Sequence, residues 1–214
     1  MKAIVLGGSR GIGKAISQSL KTLEIDVFAA SKNDIDTSNL DNVRKFIKKF
    51  PSTDILVLNT GGPQPKPFES ITEEDWKKYH NQLFLGFVTI LQNIKIEDDG
   101  YIFLISSSLI KEPNSQLIIS AAYRTAFVQI FKVLSKEFAI KNISCINIAP
   151  GPINTDRTKE LVEDIEAFKK TLPMKRLGEP KEIGDFVKSI IQNKIKYLSG
   201  VTINFDGAIS NSVF

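Results

Sequence analysis

Short apolar runs alternate with longer amphipathic stretches along almost the whole chain. The short runs have the length of buried strands, whereas the longer ones carry apolar residues at helical spacing, such as Ile12, Ile16 and Leu20. This alternation is typical of βαβ units on a parallel sheet. The predicted strands are 2–6, 25–30, 54–58, 101–105, 143–148 and 201–204. The predicted helices run from the glycine-rich segment to about residue 23 and over 39–50, 73–93 and 115–140, with shorter helical segments after residue 152.

One connection in this pattern is unusually short. Only residues 31–38 separate the second predicted strand from the next helix, which leaves no room for a crossover helix. Ser38 or Asn39 is the expected helix cap. The chain shows no repeat, low-complexity segment or linker, and its 214 residues suit one sizeable α/β unit, so residues 1–214 are predicted to form a single domain.

Composition narrows the class of protein. Hydrophobic residues make up 42% and charged residues 24%, which is ordinary for a soluble globular protein, and no apolar run reaches the length of a membrane span. The lone Cys145 excludes an internal disulfide framework, and the lone His80 cannot build a histidine metal site, so no metal is expected. A cytoplasmic location is therefore expected. The net charge of +4 is spread among acidic residues, unlike a nucleic-acid-binding stripe.

The first predicted strand leads directly into Gly7-Gly8-Ser9-Arg10-Gly11-Ile12-Gly13, and a helix begins inside that segment. Strand, glycine turn and helix is the order that a dinucleotide site requires. The glycines allow a sharp turn, a close approach of backbone N–H groups to a pyrophosphate, and tight packing of helix on strand. Glycine turns without ligands are also common, so this segment alone leaves both interpretations open.

Further motifs follow in a fixed order, and together they resemble the short-chain dehydrogenase/reductase family over nearly the whole length. The motifs are Gly7–Gly13 for the cofactor turn, Asn59-Thr60-Gly61, Pro150-Gly151-Pro152-Ile153-Asn154-Thr155, Arg176-Leu177-Gly178-Glu179-Pro180, and 200–207 ending in Phe205-Asp206-Gly207. The resemblance implies a Rossmann-like, doubly wound α/β fold with a parallel sheet of about seven strands and the cofactor across the carboxyl ends of the strands. The missing crossover helix before Ile35 departs from the family pattern.

The resemblance also implies a set of cofactor contacts. Those positions are Gly7, Gly8, Ser9, Arg10, Gly11, Ile12, Gly13, Ser31, Lys32, Asp36, Thr37, Asn59, Thr60, Gly61, Arg124, Pro150, Gly151, Ile153 and Thr155. An acidic residue at the end of the second strand would favour NAD, whereas a basic one would meet the 2′-phosphate of NADP. This chain has Ser31-Lys32 there, with Arg10 in the glycine turn, so NADP(H) is favoured over NAD(H). The alternative is that Lys32 is an ordinary solvated lysine.

The family's catalytic pattern is broken in this chain. The family uses Tyr-x-x-x-Lys with a Ser and an Asn, and none of the four tyrosines is followed by Lys at that spacing. Ser107 falls at the Ser position, Ser120 and Arg124 replace the Tyr and Lys, and Leu83 stands at the Asn position. This Ser-x-x-x-Arg pattern resembles a divergent branch labelled as 3-oxoacyl reductases by likeness.

The replacements suggest a modified mechanism. Arg124 keeps a positive charge that can hold ribose hydroxyls, but it cannot release a proton near neutral pH. Residues 120, 123 and 124 lie on one helix face, so Tyr123 is a candidate acid, with packing as the alternative. The hypothesis is that Ser107 binds the substrate oxygen, Arg124 holds the ribose, and Tyr123 or a water near Ser120 supplies the proton.

The leading functional hypothesis is an NADP(H)-dependent oxidoreductase acting on a carbonyl or secondary alcohol of a small molecule. The alternatives are a dinucleotide-binding sensor or structural protein with a degenerate site, and a different reaction such as dehydration or epimerisation on this scaffold. The resemblance implies a homodimer or homotetramer, and the apolar tail 212–214 is consistent with burial in such a contact. No nucleic acid or membrane partner is expected.

Overall fold

All six strands lie in one parallel sheet of order β2-β1-β3-β4-β5-β6 in the computed structural model, which describes residues 1–213. The strands are β1 (Lys2–Leu6), β2 (Asp26–Ala30), β3 (Ser52–Leu58), β4 (Lys95–Ile105), β5 (Ser144–Pro150) and β6 (Val201–Phe205). The α/β class and the six strand positions that the sequence predicts are confirmed, although β4 begins six residues earlier than expected, at Lys95 and not at residue 101. Among the described residues no helix is long and apolar enough to cross a membrane.

Helices cover both faces of this sheet. They are α1 (Gly11–Lys21), α2 (Leu40–Lys49), α3 (Glu73–His80), α4 (Gly86–Asn93), α5 (Ile118–Ala139), α6 (Asp156–Leu161), α7 (Ile165–Thr171) and α8 (Pro180–Gln192). The predicted helix 73–93 is divided, because a π-helical turn over Asn81–Leu85 joins α3 to α4. Asn39 caps α2 by accepting from the N–H groups of Asp41 and Asn42, as one of the two expected caps.

Two apolar layers hold the helices to the sheet. On one face, α1 and α8 pack through Ile16, Leu20 and Val187 against alternate residues of the central strands. On the other face, α2, α4 and α5 bury residues such as Phe87 and Phe127. Strands buried on both faces read as continuous apolar runs, which explains why the sequence pattern located them well. Cys145 is fully buried in β5, and burial raises the pKa of its thiol to about 12.

The expectation of about seven strands is wrong by one. A parallel strand needs a crossover connection of a dozen or more residues, and the chain passes from β2 at Ala30 to α2 at Leu40 through a short segment of turns. The missing crossover helix is confirmed, and the sheet edge is β2.

The strand order reverses direction at β1, which pairs with β2 on one side and β3 on the other. In open α/β sheets the crevice outside the carboxyl ends of the strands at such a switch point is the usual ligand site. Here Leu6 ends β1 and Leu58 ends β3. The glycine turn and the Asn59-Thr60-Gly61 segment therefore begin side by side.

Candidate active site

The glycine turn depends on positions where a side chain would be strained or would clash. Gly7 has φ of 60°, in the left-handed region. A Cβ on Gly13 would lie 2.2 Å from the carbonyl oxygen of Gly7, so the first turn of α1 sits directly on the end of β1. Asn59 fixes the same place from β3, because its Nδ2 donates to the carbonyls of Leu6 at 3.2 Å and Gly7 at 3.4 Å.

The start of α1 fits a pyrophosphate group. Arg10 is the N-cap residue in extended conformation, and no side chain caps the helix. The first N–H groups of α1 therefore face the crevice without a side-chain acceptor, and a helix N-terminus favours an anion. Ser9 and Arg10 are exposed on the turn, and Gly8 donates its N–H to the carbonyl of Ala30. The turn, with the close approach at Gly13, is a cradle that the cofactor phosphates match.

At the end of β2, the carboxylates of Asp34 and Asp36 lie beside Ser31 and Lys32, the residues that the sequence assigns to the 2′-phosphate. The backbone N–H and Oγ of Ser31 both donate to Asp34 Oδ2, at 2.8 and 2.6 Å. Lys32 Nζ lies 3.6 Å from Asp36 Oδ2, and Asp36 Oδ1 accepts from Ser38. Hydrogen bonds from Ser31 lower the pKa of the Asp34 carboxyl, so it is ionised at neutral pH. A 2′-phosphate at Ser31 would compete with this carboxylate.

Arg124 forms the buried centre of the catalytic side of the crevice. Its Nε donates to Ser120 Oγ at 3.2 Å, one turn earlier on α5. Nη1 donates to the carbonyl of Ile105 at 3.2 Å, and Nη2 donates to the carbonyl of Thr60 at 3.1 Å. The structure thus brings together Ser120, Arg124 and the ends of β3 and β4. Three neutral oxygens fix the guanidinium in one orientation.

The charge of Arg124 survives its burial. Burial lowers the pKa of the guanidinium to about 10, with a further contribution from repulsion by Arg157. The side chain is therefore protonated at neutral pH and acts as a fixed positive charge. Its position beside Ser120 makes it suited to stabilise negative charge developing on a substrate oxygen.

Ser107 follows β4 at the edge of the same crevice. Its Oγ accepts from the N–H of Leu109 at 3.2 Å and caps the short 3₁₀ turn Ser108–Ile110. Because an accepting hydroxyl retains its own proton, Ser107 can still donate to a substrate oxygen.

The structure does not bring the hydroxyl of Tyr123 into this cluster. That hydroxyl donates to the carbonyl of Trp76 at 3.3 Å, and the ring makes edge contacts with Trp76 and His80. Burial raises the pKa of the phenol, which makes it a weaker acid. These contacts correspond to the packing alternative, and they remove the support for Tyr123 as the proton donor. A shared helix face does not by itself determine where a long side chain ends.

The segment after β5 closes the crevice on the far side. Pro150 is the last residue of β5, and Gly151 donates its N–H to the carbonyl of Phe205. Ile153 is buried and pairs with Gly178. The Thr155 side chain caps α6 and lies against the glycine turn, where a Cβ on Gly11 would be 3.4 Å from Thr155 Cγ2. The first and third of the five motifs are thus neighbours, as a cofactor spanning the crevice would require.

Gln82 and Arg157, which the predicted site residues do not include, contact the loop that follows β3. Gln82 Nε2 donates to Thr60 Oγ1 and the Gly61 carbonyl, so Gln82 and not the buried Leu83 contacts this loop. Arg157 donates to the carbonyl of Pro63. Gln82 and Leu83 both lie in the π-helical turn over Asn81–Leu85.

The sequence of this chain is similar to one family of known proteins. The family model described as enoyl-(acyl carrier protein) reductase matches residues 35–210. The chain belongs to the short-chain dehydrogenase/reductase family. The match to the family model begins at residue 35, after the glycine turn. The alignments to individual relatives cover nearly the whole chain.

Similar proteins match this chain over almost their whole length. The 3-oxoacyl-(acyl-carrier-protein) reductase FabG of Buchnera aphidicola subsp. Baizongia pistaciae is 28% identical over 235 residues, covering 97% of this chain and 96% of that protein. A small-chain dehydrogenase solved in complex with NADPH is 26% identical with a TM-score of 0.85, covering 97% of each chain. The angucycline C-6 ketoreductase LanV, at 21% identity, shares the fold with a TM-score of 0.88 over 96% of this chain and 94% of its own.

Proposed function

We propose that this protein is an NADP(H)-dependent oxidoreductase that interconverts a carbonyl and a secondary alcohol on a small molecule. The observation that carries the proposal is that Arg124 binds Ser120 and the carbonyl of Thr60, directly after the Asn59 that donates to the glycine turn. Ser107 follows the end of β4 at the same sheet edge. The reductase names of its relatives favour this activity over a binding protein with a degenerate site.

The cofactor would be held by groups from four strand ends. The N-terminus of α1 would bind the pyrophosphate, Ser31 and Lys32 the 2′-phosphate, Asp36 and Thr37 the adenine end, and the segment 150–155 the nicotinamide. Asn59, Thr60 and Gly61 would line the adenosine ribose. NADPH is present in the small-chain dehydrogenase complex, which supports the choice between the two dinucleotides. When bound, the nicotinamide supplies or accepts the hydride.

The side chains of this protein would then bind the carbonyl oxygen of the substrate and stabilise the charge that develops on it. Ser120 Oγ accepts from Arg124 Nε, so its proton is free to point at a substrate oxygen, as is that of Ser107. Two hydroxyl donors and a fixed cation form a site for the negative charge that develops on that oxygen. Arg124 retains further N–H donors for the ribose. Since neither serine is acidic enough to give up a proton, water beside Ser120 is the proposed proton source.

A direct test follows NADPH fluorescence during titration and then NADPH consumption with a panel of ketones, aldehydes and oxoacyl thioesters. The proposal expects binding and turnover on at least one class. Tight binding without turnover on any compound would favour a sensor or structural role. Absence of dinucleotide binding would contradict both.

The Asp34 carboxylate is expected to limit NADP(H) affinity. Asp34→Asn keeps an oxygen for Ser31 but removes a negative charge from beside the 2′-phosphate. We expect the Kd for NADPH to fall by about threefold to tenfold at low ionic strength, because the site is exposed and solvent weakens the repulsion. The Kd for NADH should stay within about twofold.

The matched control is Asp26→Asn, an exposed aspartate at the opposite end of β2. It should change neither Kd. A fall in the Kd for NADH equal to that for NADPH would show that Asp34 does not face a 2′-phosphate.

Tyr123 and Ser107 are expected to respond in opposite ways to removal of their hydroxyls. Tyr123→Phe keeps the contacts with Trp76 and His80 and should leave kcat within about twofold of the parent. Ser107→Ala should lower kcat by about 100-fold, the usual effect of losing one donor to a developing oxyanion. Steady-state kinetics with NADPH in excess measure both. A large loss in Tyr123→Phe would restore the phenol as the acid.

We also propose a homodimer or homotetramer. Val133 in the C-terminal half of α5 and Ile140 directly after that helix are exposed large apolar residues in the single chain, as is Val213 of the apolar tail. Phe214 of that tail lies outside the described residues. Light scattering coupled to size-exclusion chromatography measures the assembly, and a monomer at micromolar concentration would contradict the proposal.

A further inference from the structure

Arg124 carries a buried positive charge that no carboxylate of residues 1–213 neutralises. Its described hydrogen-bond acceptors are the hydroxyl of Ser120 and the carbonyls of Ile105 and Thr60. Within residues 1–213, no Asp or Glu forms an ion pair with it. A buried charge without a counter-charge is costly to stability. The charge is therefore available to an anionic ligand.

A second guanidinium, that of Arg157, contacts the loop of residues 60–63, which Arg124 also contacts. Arg157, near the start of α6, donates to the carbonyl of Pro63, while Arg124 donates to that of Thr60. Between them, a Cβ on Gly62 would be 3.5 Å from Ser120 Oγ and 3.8 Å from Arg124 Nη2. Arg157 is close enough to contribute repulsion that lowers the pKa of Arg124. Two positive charges therefore border the loop 60–63, next to the proposed reacting oxygen.

Arg157 is held only weakly by its acidic neighbour. Its Nη1 lies 3.3 Å from Glu160 Oε2, and the two side chains are 29% and 48% exposed. Such surface pairs contribute little free energy. The guanidinium has five N–H donors, and two hydrogen bonds are described for it within residues 1–213. A ligand carboxylate can replace Glu160 at small cost.

We propose that the substrate is an oxo acid, or the corresponding hydroxy acid, whose carboxylate is bound by Arg157. This inference rests on the oxidoreductase function proposed above. A carboxylate matches the planar fork of a guanidinium and accepts two parallel hydrogen bonds from it. Because the loop between the two arginines is short, the carboxylate lies within a few carbons of the carbonyl that Ser107 and Ser120 bind. The positive charge of Arg124 adds to the attraction of the substrate carboxylate.

The test compares matched pairs that differ by one charge: short 2-oxo and 3-oxo acids and their methyl esters. Calorimetry measures binding to the full-length protein loaded with NADP⁺, and NADPH consumption measures turnover. The acid of at least one pair should bind about tenfold or more tightly than its ester. Arg157→Gln should remove that preference while leaving the Kd of the ester within about twofold, and Arg157→Lys should restore part of it.

The control variant is Arg44→Gln, because Arg44 also pairs with a carboxylate three residues away on an exposed helix face. It should keep the preference for the acid. Esters or N-acetylcysteamine thioesters that bind as well as the free acids would overturn the inference and leave the oxidoreductase function intact. If NADPH does not bind, or if no compound causes its consumption, the proposed function is overturned, and this inference with it.

Discussion

Replacing Arg124 with methionine is expected to lower kcat by about 100-fold to 1,000-fold while the protein stays folded. The substitution removes the fixed charge beside Ser120 and frees the carbonyls of Ile105 and Thr60 from their donors. Loss of one preorganised donor to a developing oxyanion has an effect of this size. Methionine fills similar space, and removal of a buried unpaired charge offsets much of the lost hydrogen bonding. Steady-state kinetics and circular dichroism are the measurements.

The effect should fall mainly on kcat and less on cofactor binding. Arg124 offers the ribose only its remaining N–H donors, so the Kd for NADPH should rise by about fivefold, as expected for one lost hydrogen bond. Arg124→Lys keeps the charge but reaches fewer of the three acceptors, and it should recover part of kcat. Arg44→Met, on the exposed face of α2, serves as the control. A folded Arg124→Met protein with kcat within twofold of the parent would remove Arg124 from the catalytic cluster.

Replacing Gly13 with alanine is expected to destabilise the protein and abolish dinucleotide binding together. The new Cβ would lie 2.2 Å from the Gly7 carbonyl oxygen and 2.9 Å from Asn59 Nδ2, and the first of these is backbone that cannot rotate away. Overpacking of this kind costs about 1–3 kcal/mol, which corresponds to a fall in Tm of roughly 2–12 °C at this chain length. The displaced N-terminus of α1 no longer presents its N–H groups to the pyrophosphate.

Gly61→Ala is the matched control for stability, since in the described part of the chain no atom beyond the adjacent residues lies within 4 Å of a Cβ at that position. Its free energy of unfolding should change by less than about 0.5 kcal/mol. Thermal unfolding and NADPH fluorescence titration report the two effects separately. A Gly13→Ala protein with the parent's Tm and Kd would contradict the close packing of α1 on β1.

The sequence predicted those parts of the fold that depend on local pattern. β1, the glycine turn and α1 are fixed by a short apolar run, by glycines and by helical spacing within the first 21 residues. The short connection after β2 was visible as missing length. The number of strands was not, because the resemblance carried the family's seven strands over to a chain with room for six.

The catalytic side was predicted less completely, because it depends on packing between distant elements. Ser120 and Arg124 are one helical turn apart, so their contact follows from spacing. The Tyr123 hydroxyl binds Trp76 only because α3 packs against α5, and no local rule gives that contact. Arg157 reaches Pro63 across 94 positions in sequence. The hydrogen-bond partner of a long side chain depends on tertiary packing, which local sequence pattern does not give.

Transfer of deuterium from labelled NADPH to product is the most direct test of the central claim. NADPH carrying deuterium at nicotinamide C4 is prepared in both stereochemical forms, each is incubated with the protein and a substrate from the turnover panel, and the product is analysed by mass spectrometry. We expect one form to give an alcohol heavier by one mass unit at the former carbonyl carbon, and Arg124→Met to slow its formation. Alcohol formation without deuterium from either form, or bound NADPH that reduces no carbonyl compound, would contradict it.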